Sequence, residues 1–321
     1  MRVFITGAGG FIARAVAARL RDEGHQVAGV DLHADEAAGV VAGDITSDGA
    51  WQDAAAGADL VVHTAAVVSN AVGLDGQWRV NVGGTRRALD TAVRAGASRF
   101  VHLSSIRAFS DLGFPDGVTE DHPVRPDGNP YVDTKIASEQ VALQAHAEGR
   151  IAVTVVRPGD VYGPGSRPWT TLPVQLIKKF QFLLPAMGAG VFSPVYVDDL
   201  VEGLLLAGRE PAGAGQIFTL SGGVGVTCGE FFGHYYRMLG RRGPWVAPTA
   251  VAVAVARLAG GAISLTGAAT EVNAVSMRYF ARTGTYSIEK AGRLLGYRPT
   301  VDLTEGMART ERWLRAEGLL T

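Results

Sequence analysis

Two side chains near the middle of the chain are spaced for shared chemistry. Tyr131-Val132-Asp133-Thr134-Lys135 puts a phenol and an ammonium four residues apart, stacked on a single helical face. A free tyrosine holds its proton to about pH 10, and a neighbouring cation favours the phenolate, so such a pair can act as a general base and its conjugate acid. Taken alone, the same spacing decorates many helix surfaces. A pair of hydroxyls, Ser104-Ser105, closes the run Phe100–Ser104. A strand there would deliver them to the carboxyl edge of a sheet, where open α/β folds bind their ligands.

A second group has the spacing of a phosphate cradle. Thr6-Gly7-Ala8-Gly9-Gly10-Phe11-Ile12-Ala13 follows a β-branched run, with Gly7, Gly10 and Ala13 three apart at the opening of a helix. Small residues permit a tight turn and close backbone approach, and a pyrophosphate then lies at the positive helix end. Asp31 closes the next β-branched run, where a carboxylate accepts hydrogen bonds from ribose hydroxyls and repels a 2′-phosphate. The cofactor expected is therefore NAD rather than NADP. Arg14, near the loop, is the one feature of opposite sign.

These residues need a scaffold, and the first half supplies one. Short β-branched runs at Arg2–Thr6, Gln26–Val30, Leu60–Thr64, Phe100–Ser104 and Ala152–Arg157 alternate with alanine-rich amphipathic stretches, the form of repeated βαβ units and a parallel sheet. Ile12, Val16 and Leu20 make a one-sided apolar stripe on the first crossover helix. After Arg157, Pro158, Gly159, Gly163, Pro164 and Gly165 break the pattern. The run Ser193–Asp199, with a helix over Leu200–Ala207, reads as a late return to the core before a tail that caps the site.

Composition narrows the partners. A formal net charge of −1 with 19% charged residues carries no signature of nucleic-acid binding, which leaves a small molecule. The single cysteine, Cys228, cannot form an internal disulfide, and the chain opens without a basic, apolar leader, so a cytoplasmic protein is expected. The most apolar run, Val246–Ala256, ends at Arg257, short of the roughly 20 residues that span a bilayer. The wider stretch Val246–Ile263 can line an apolar pocket, pack as core or touch a membrane weakly. Core or pocket wall ranks first, because the stretch lacks a basic face of its own. His63 has no second histidine or cysteine at ligand spacing, so no metal is expected.

Taken in order, the motifs resemble the extended short-chain dehydrogenase/reductase family, also called the NAD-dependent epimerase/dehydratase superfamily, over nearly the whole chain. The likeness rests on the glycine motif, Gly43-Asp44-Ile45, His63-Thr64-Ala65-Ala66, Asn81-Val82-Gly83-Gly84-Thr85, Ser104-Ser105, and Tyr131 with Lys135. It implies that Tyr131 is the acid/base, that Ser105 holds the substrate oxygen, and that Lys135 lowers the tyrosine pKa and holds the nicotinamide ribose. It further implies cofactor contacts from Gly7, Gly9, Gly10, Phe11, Ile12, Asp31, Asp44, Ile45, His63, Ala65, Ala66, Asn81, Tyr131, Lys135, Pro158 and Gly159. Asn81 also reads as a brace between a helix and a strand. The implied fold is α/β, a Rossmann-like doubly wound parallel sheet with a smaller C-terminal substrate-capping region. Residues 1–157 and 190–222 would form the NAD-binding core, and 158–189 and 223–321 the substrate-binding region.

Dehydratases of this family carry an Asp-Glu pair directly after the residue equivalent to Ser105; here Ile106 and Arg107 stand there. Epimerases acting on nucleotide sugars usually place an asparagine where this chain has Asp160, and an arginine where it has Phe192-Ser193-Pro194. Trp245-Val246-Ala247-Pro248 and the segment from Tyr286 to Pro299 resemble the 3β-hydroxysteroid dehydrogenase branch instead. The resemblance thus implies an oxidoreductase for a small hydrophobic alcohol or ketone, with a nucleotide-sugar epimerase as the alternative. It also implies a homodimer formed by the helices after Asn81 and around Tyr131, with Leu89, Val93, Val141 and Leu143 as apolar contacts.

Overall fold

The computed structural model describes residues 1–69, 72–110, 115–264 and 274–320. The β-branched runs form β1 (Arg2–Thr6), β2 (Gln26–Asp31), β4 (Leu60–His63), β5 (Arg99–Leu103) and β6 (Ala152–Pro158), joined by β3 (Val40–Ala42) and β7 (Ile217–Leu220). The sheet order is β7-β6-β5-β4-β1-β2-β3, and every pairing is parallel. A parallel sheet covered on both faces accounts for strands that read as nearly continuous apolar runs. Val3, Ile5, Leu60 and Val62 enter one core cluster while Phe4 and Val61 enter the other, as a two-residue side-chain period requires.

Helices of ten residues or more include α1 (Phe11–Asp22), α2 (Thr85–Arg94), α3 (Pro130–Ala147), α4 (Val197–Arg209), α5 (Cys228–Met238) and α6 (Thr249–Ser264). On α1 the buried side is Ala13, Val16, Ala17 and Leu20, and burying Val16 and Leu20 contributes about 1.5–3 kcal/mol each. β1 lies between β2 and β4, so crossovers leave it in opposite directions and open a crevice at its carboxyl end, the switch point of such folds.

Four expectations change. Neither β3 nor β7 is anticipated, since three and four residues are too few for a periodic signal. The late return at Ser193–Asp199 does not join the main sheet: Pro194–Tyr196 pairs in parallel with Asp160–Tyr162 in a separate ladder, and β7 makes the return. On α6, Ala252 and Ala256 pack with Ala247 and Met277, but Val251, Val255 and Leu258 are exposed, so the helix is core on one side only. The side chains beyond Ala259 lie outside the described set. Leu89 is buried in the chain's own core, which leaves Val93, Val141 and Leu143 as the partly buried contacts of the expected dimer face. Among the described residues no helix is long and apolar enough to cross a membrane.

Candidate active site

The glycine turn is built around a close approach. Gly7 has φ +68°, and a Cβ there would stand 2.7 Å from Ala65 Cα, so only glycine lets the loop after β4 lie against the turn. Gly10 opens α1, and no side chain caps that end, which leaves the first-turn amides for an anion. Asp31 ends β2 beside them: its Oδ2 accepts the Gly9 amide at 2.9 Å and its Oδ1 the Leu32 amide at 2.7 Å. A cavity of about 920 Å³ runs past Gly9, Gly10, Arg14, Asp31 and Glu36. The uncapped helix end, the glycine cradle and the carboxylate together fit a dinucleotide carrying free ribose hydroxyls.

The remaining expected cofactor residues divide into two groups. Asp44 accepts the Thr46 amide at 2.8 Å, and that bond holds its carboxyl below the usual range. Ile45 is buried, and Pro158 closes β6 beside Gly159, where a Cβ would meet the Ser193 carbonyl oxygen at 2.4 Å. His63 and Asn81 are braces. Thr85 donates its hydroxyl proton to the Asn81 carbonyl at 2.6 Å, so its oxygen accepts from His63 Nε2 at 2.9 Å. His63 Nδ1 then accepts from the Thr6 hydroxyl at 2.6 Å. The ring is neutral, with burial driving its pKa down to about 3. The His63 ring nitrogens are thus both engaged within the protein, by Thr6 and Thr85. Asn81 bonds the Val67 amide at 2.7 Å and Thr134 at 3.0 Å, tying the loop after β4 to α3 rather than to a strand.

Tyr131 and Lys135 share the inner face of α3, as the spacing requires. Asn129 caps the helix by accepting the Tyr131 amide at 3.0 Å, and Pro130 occupies the first turn, where its missing N–H costs nothing. Lys135 Nζ lies 5.9 Å from the Tyr131 ring centroid and donates to the Leu103 carbonyl at 2.8 Å. Burial pulls the Lys135 pKa down from 10.5 to about 8, with Glu139 opposing the fall.

Glu139, one turn further along, accepts Ser104 Oγ at 2.5 Å and meets Arg157 at two points, 2.9 and 2.6 Å. Ser104 is thus engaged in the core, while Ser105 Oγ accepts the Arg107 amide at 3.1 Å and starts the short helix Ile106–Phe109.

Sequence reasoning missed three residues here. The Arg107 guanidinium lies 5.1 Å from the ring centroids of both Tyr131 and Tyr279, spanning the gap between α3 and the C-terminal region. Tyr279 and Arg282 both bond Asp160, Arg282 at 2.6 Å. The only local hint was the place of Arg107, two residues after Ser105. No hint links positions more than a hundred residues apart.

A parallel sheet with a dinucleotide cradle at its switch point, and a tyrosine–lysine pair on an adjoining helix, define an NAD-dependent α/β enzyme. The chain belongs to the NAD dependent epimerase/dehydratase family, whose model matches residues 3–220, and NAD is its cofactor. It is 28% identical to a dTDP-glucose 4,6-dehydratase of Streptomyces antibioticus, covering 98% of this chain and 92% of that one. It is equally identical, 28%, to a 3 beta-hydroxysteroid dehydrogenase/Delta 5-->4-isomerase of Mycobacterium tuberculosis, over 76% of this chain and 70% of the relative. Among solved structures, MoeE5 in complex with UDP-glucose and NAD superposes with a TM-score of 0.79 at 25% identity, covering 99% of both chains.

Proposed function

We propose that the enzyme interconverts a secondary alcohol and a ketone on a bulky apolar substrate of the 3β-hydroxysteroid or sterol type. Bound NAD supplies the hydride acceptor or donor. Tyr131 exchanges a proton with the substrate oxygen, Ser105 holds that oxygen, and the Lys135 ammonium steadies the phenolate and the nicotinamide ribose. Gly7, Gly9, Gly10 and Asp31 hold the adenosine diphosphate half. Residues 158–189 and 223–321 form the substrate-covering region over a core of 1–157 and 190–222.

The observation that carries this reading is the state of Asp160. Its carboxylate is buried and taken up by Arg282, Tyr279 and the Ser193 amide, so it presents no partner to a substrate diphosphate. Around it the packing is aromatic: Trp169 stacks on Tyr279 at 5.6 Å and meets Phe192 edge-on at 5.0 Å. Beside Tyr131, the positions that carry an acid and a base in dehydratases are a buried Ile106 and the cationic Arg107. Elimination would lack its carboxylates.

A second reading, a nucleotide-sugar epimerase, is favoured by one feature, the Arg107 guanidinium beside Tyr131, which suits an anionic or oxygen-rich substrate. The experiment is turnover with 3β-hydroxysteroids and with UDP-sugars while NADH is followed by its absorbance. Stoichiometric NADH from a hydroxysteroid is expected. Conversion of a UDP-sugar with the NAD pool unchanged, and no response to steroids, returns the assignment to the epimerase.

A further inference from the structure

The C-terminal side of the molecule carries an exposed face whose composition departs from that of the rest. On α6, Val251, Val255 and Leu258 recur at helical spacing and face solvent, Leu258 at 76% exposure, while Ala252 on the opposite side is 1% exposed. The chain enters this helix directly from the exposed Trp245–Val246 strand, which pairs with Leu183–Leu184. The Trp245 ring stacks at 5.8 Å on Phe180, itself 63% exposed. Arg241 lies 4.3 Å over the other partner of that stack, Phe180, and is anchored by donating to the Ile177 and Lys178 carbonyls. The exposed aliphatic positions of α6 thus follow the exposed Trp245–Phe180 stack after a short link, Ala247–Pro248, in the chain.

The two segments that carry these residues have charge of one sign. Between Val161 and Val197, and again between Phe231 and Ala259, the sequence contains no aspartate or glutamate. Lys178, Lys179, Arg241, Arg242 and Arg257 all fall within those segments, in a protein whose formal net charge is −1. Arg257 lies on α6 itself, and Arg241, over the Phe180 ring, brings a second cation to the Trp245 end of the face.

We propose that this face, built on Phe180, Trp245, Val251, Val255 and Leu258, seats on the surface of an anionic phospholipid bilayer. Aliphatic side chains flanked by cations, with a tryptophan at their border, match an interface that is apolar below and negatively charged above. A second copy of the chain is disfavoured, because two such faces would bring cations together with no carboxylate between them. A folded protein partner is disfavoured by the helix itself. From Thr249 to Ala259 its only polar side chains are Thr249 and Arg257, so it offers no patterned hydrogen-bonding groups to read. The docking does not depend on which substrate the enzyme takes.

The test is flotation of the full-length protein with vesicles of phosphatidylglycerol and phosphatidylcholine, against vesicles of phosphatidylcholine alone. Binding to the anionic vesicles is expected, falling at least about tenfold as salt is raised and screens the cations. The triple variant V251S/V255S/L258S and the double variant K179E/R242E should each lose about tenfold or more of that binding while binding NAD as the native protein does. A blue shift of tryptophan fluorescence on vesicle addition should disappear in Trp245→Phe, a change that leaves the ring packing in place. The proposal is overturned if the native protein does not float with anionic vesicles, or if both surface variants float like it. It is equally overturned if soluble polyglutamate binds the native protein and the triple variant alike. Conversion of a lipid-free oligomer to monomer by the triple variant would make the face a contact between copies instead.

Discussion

Arg282 meets Asp160 inside the protein, Nη2 to Oδ2 at 2.6 Å, with both side chains all but sealed from solvent. Burial pushes the Asp160 carboxyl up, and Arg282, Tyr279 and the Ser193 amide oppose that push. On sequence grounds alone, an aspartate at this position would repel a substrate diphosphate, and Asp160→Asn would relieve the repulsion. The ion pair overturns that expectation. Removing the carboxylate strands a buried guanidinium, so Asp160→Asn should destabilise the fold by about 3–5 kcal/mol. Urea denaturation measures the loss, and calorimetry with UDP-glucose should show no gain in affinity. An Asp160→Asn protein as stable as the native one would mean that Arg282 finds its counter-charge elsewhere.

Tyr131→Phe keeps the ring and removes the proton-transfer group. Its kcat should fall by about 10²–10⁴-fold, with the Kd for NAD nearly unchanged. Stopped-flow turnover and a fluorescence titration separate the two effects, and full activity in the variant would remove Tyr131 from the mechanism.

With its pKa drawn down to about 8, the Lys135 ammonium is charged at neutral pH and discharges in the mildly alkaline range. Activity that depends on it should decline above about pH 8 in native protein, and Lys135→Arg, which stays protonated, should move that decline upward. Profiles of kcat/KM against pH decide this. An unshifted alkaline limb in the arginine variant assigns the decline to another group.

Asp31 should make NAD bind more tightly than NADP, and Asp31→Ser should narrow the difference by removing the charge beside the ribose. Dissociation constants for both cofactors test it. A native preference for NADP would place Arg14, rather than Asp31, in command of that end of the cleft.

His63 is neutral in the fold, with its pKa near 3 against an ordinary 6.5. As pH falls below 6.5, the unfolded chain takes up a proton there and the folded one does not, so stability drops. Between pH 7 and 5 this amounts to about 2 kcal/mol. Denaturation curves should show the native protein losing about that much more than His63→Asn over the same interval. Parallel losses in the two proteins would show that His63 titrates normally in the fold.

Much of the scaffold is legible in the sequence because parallel strands and amphipathic helices repeat short periods. The five strand runs fall within a residue or so of β1, β2, β4, β5 and β6, and the pairing of Tyr131 with Lys135 follows from helical spacing alone. What is not legible depends on distance or on ambiguity. Arg282 and Tyr279 reach Asp160 from 122 and 119 positions away, and nothing local announces such a contact. His63 and Asn81 sit in cofactor motifs, yet their side chains are engaged with Thr6, Thr85, Val67 and Thr134. The α6 run of alanine and valine carries apolar residues on every face, so periodicity could not say which side meets the core.

The distance between Asp160 and Arg282 also sets an order of events during synthesis. At about 5–20 residues per second, a ribosome needs roughly 6–24 s to add the 122 residues that separate them. Through that interval the strands up to β7 can assemble while Asp160 still lacks its cation, and any nascent or truncated chain ending short of Arg282 carries that carboxylate unpaired. The C-terminal segment is thus the piece that completes the interior, and its arrival is the point after which the half-made molecule no longer holds an unmatched charge for a chaperone or protease to find.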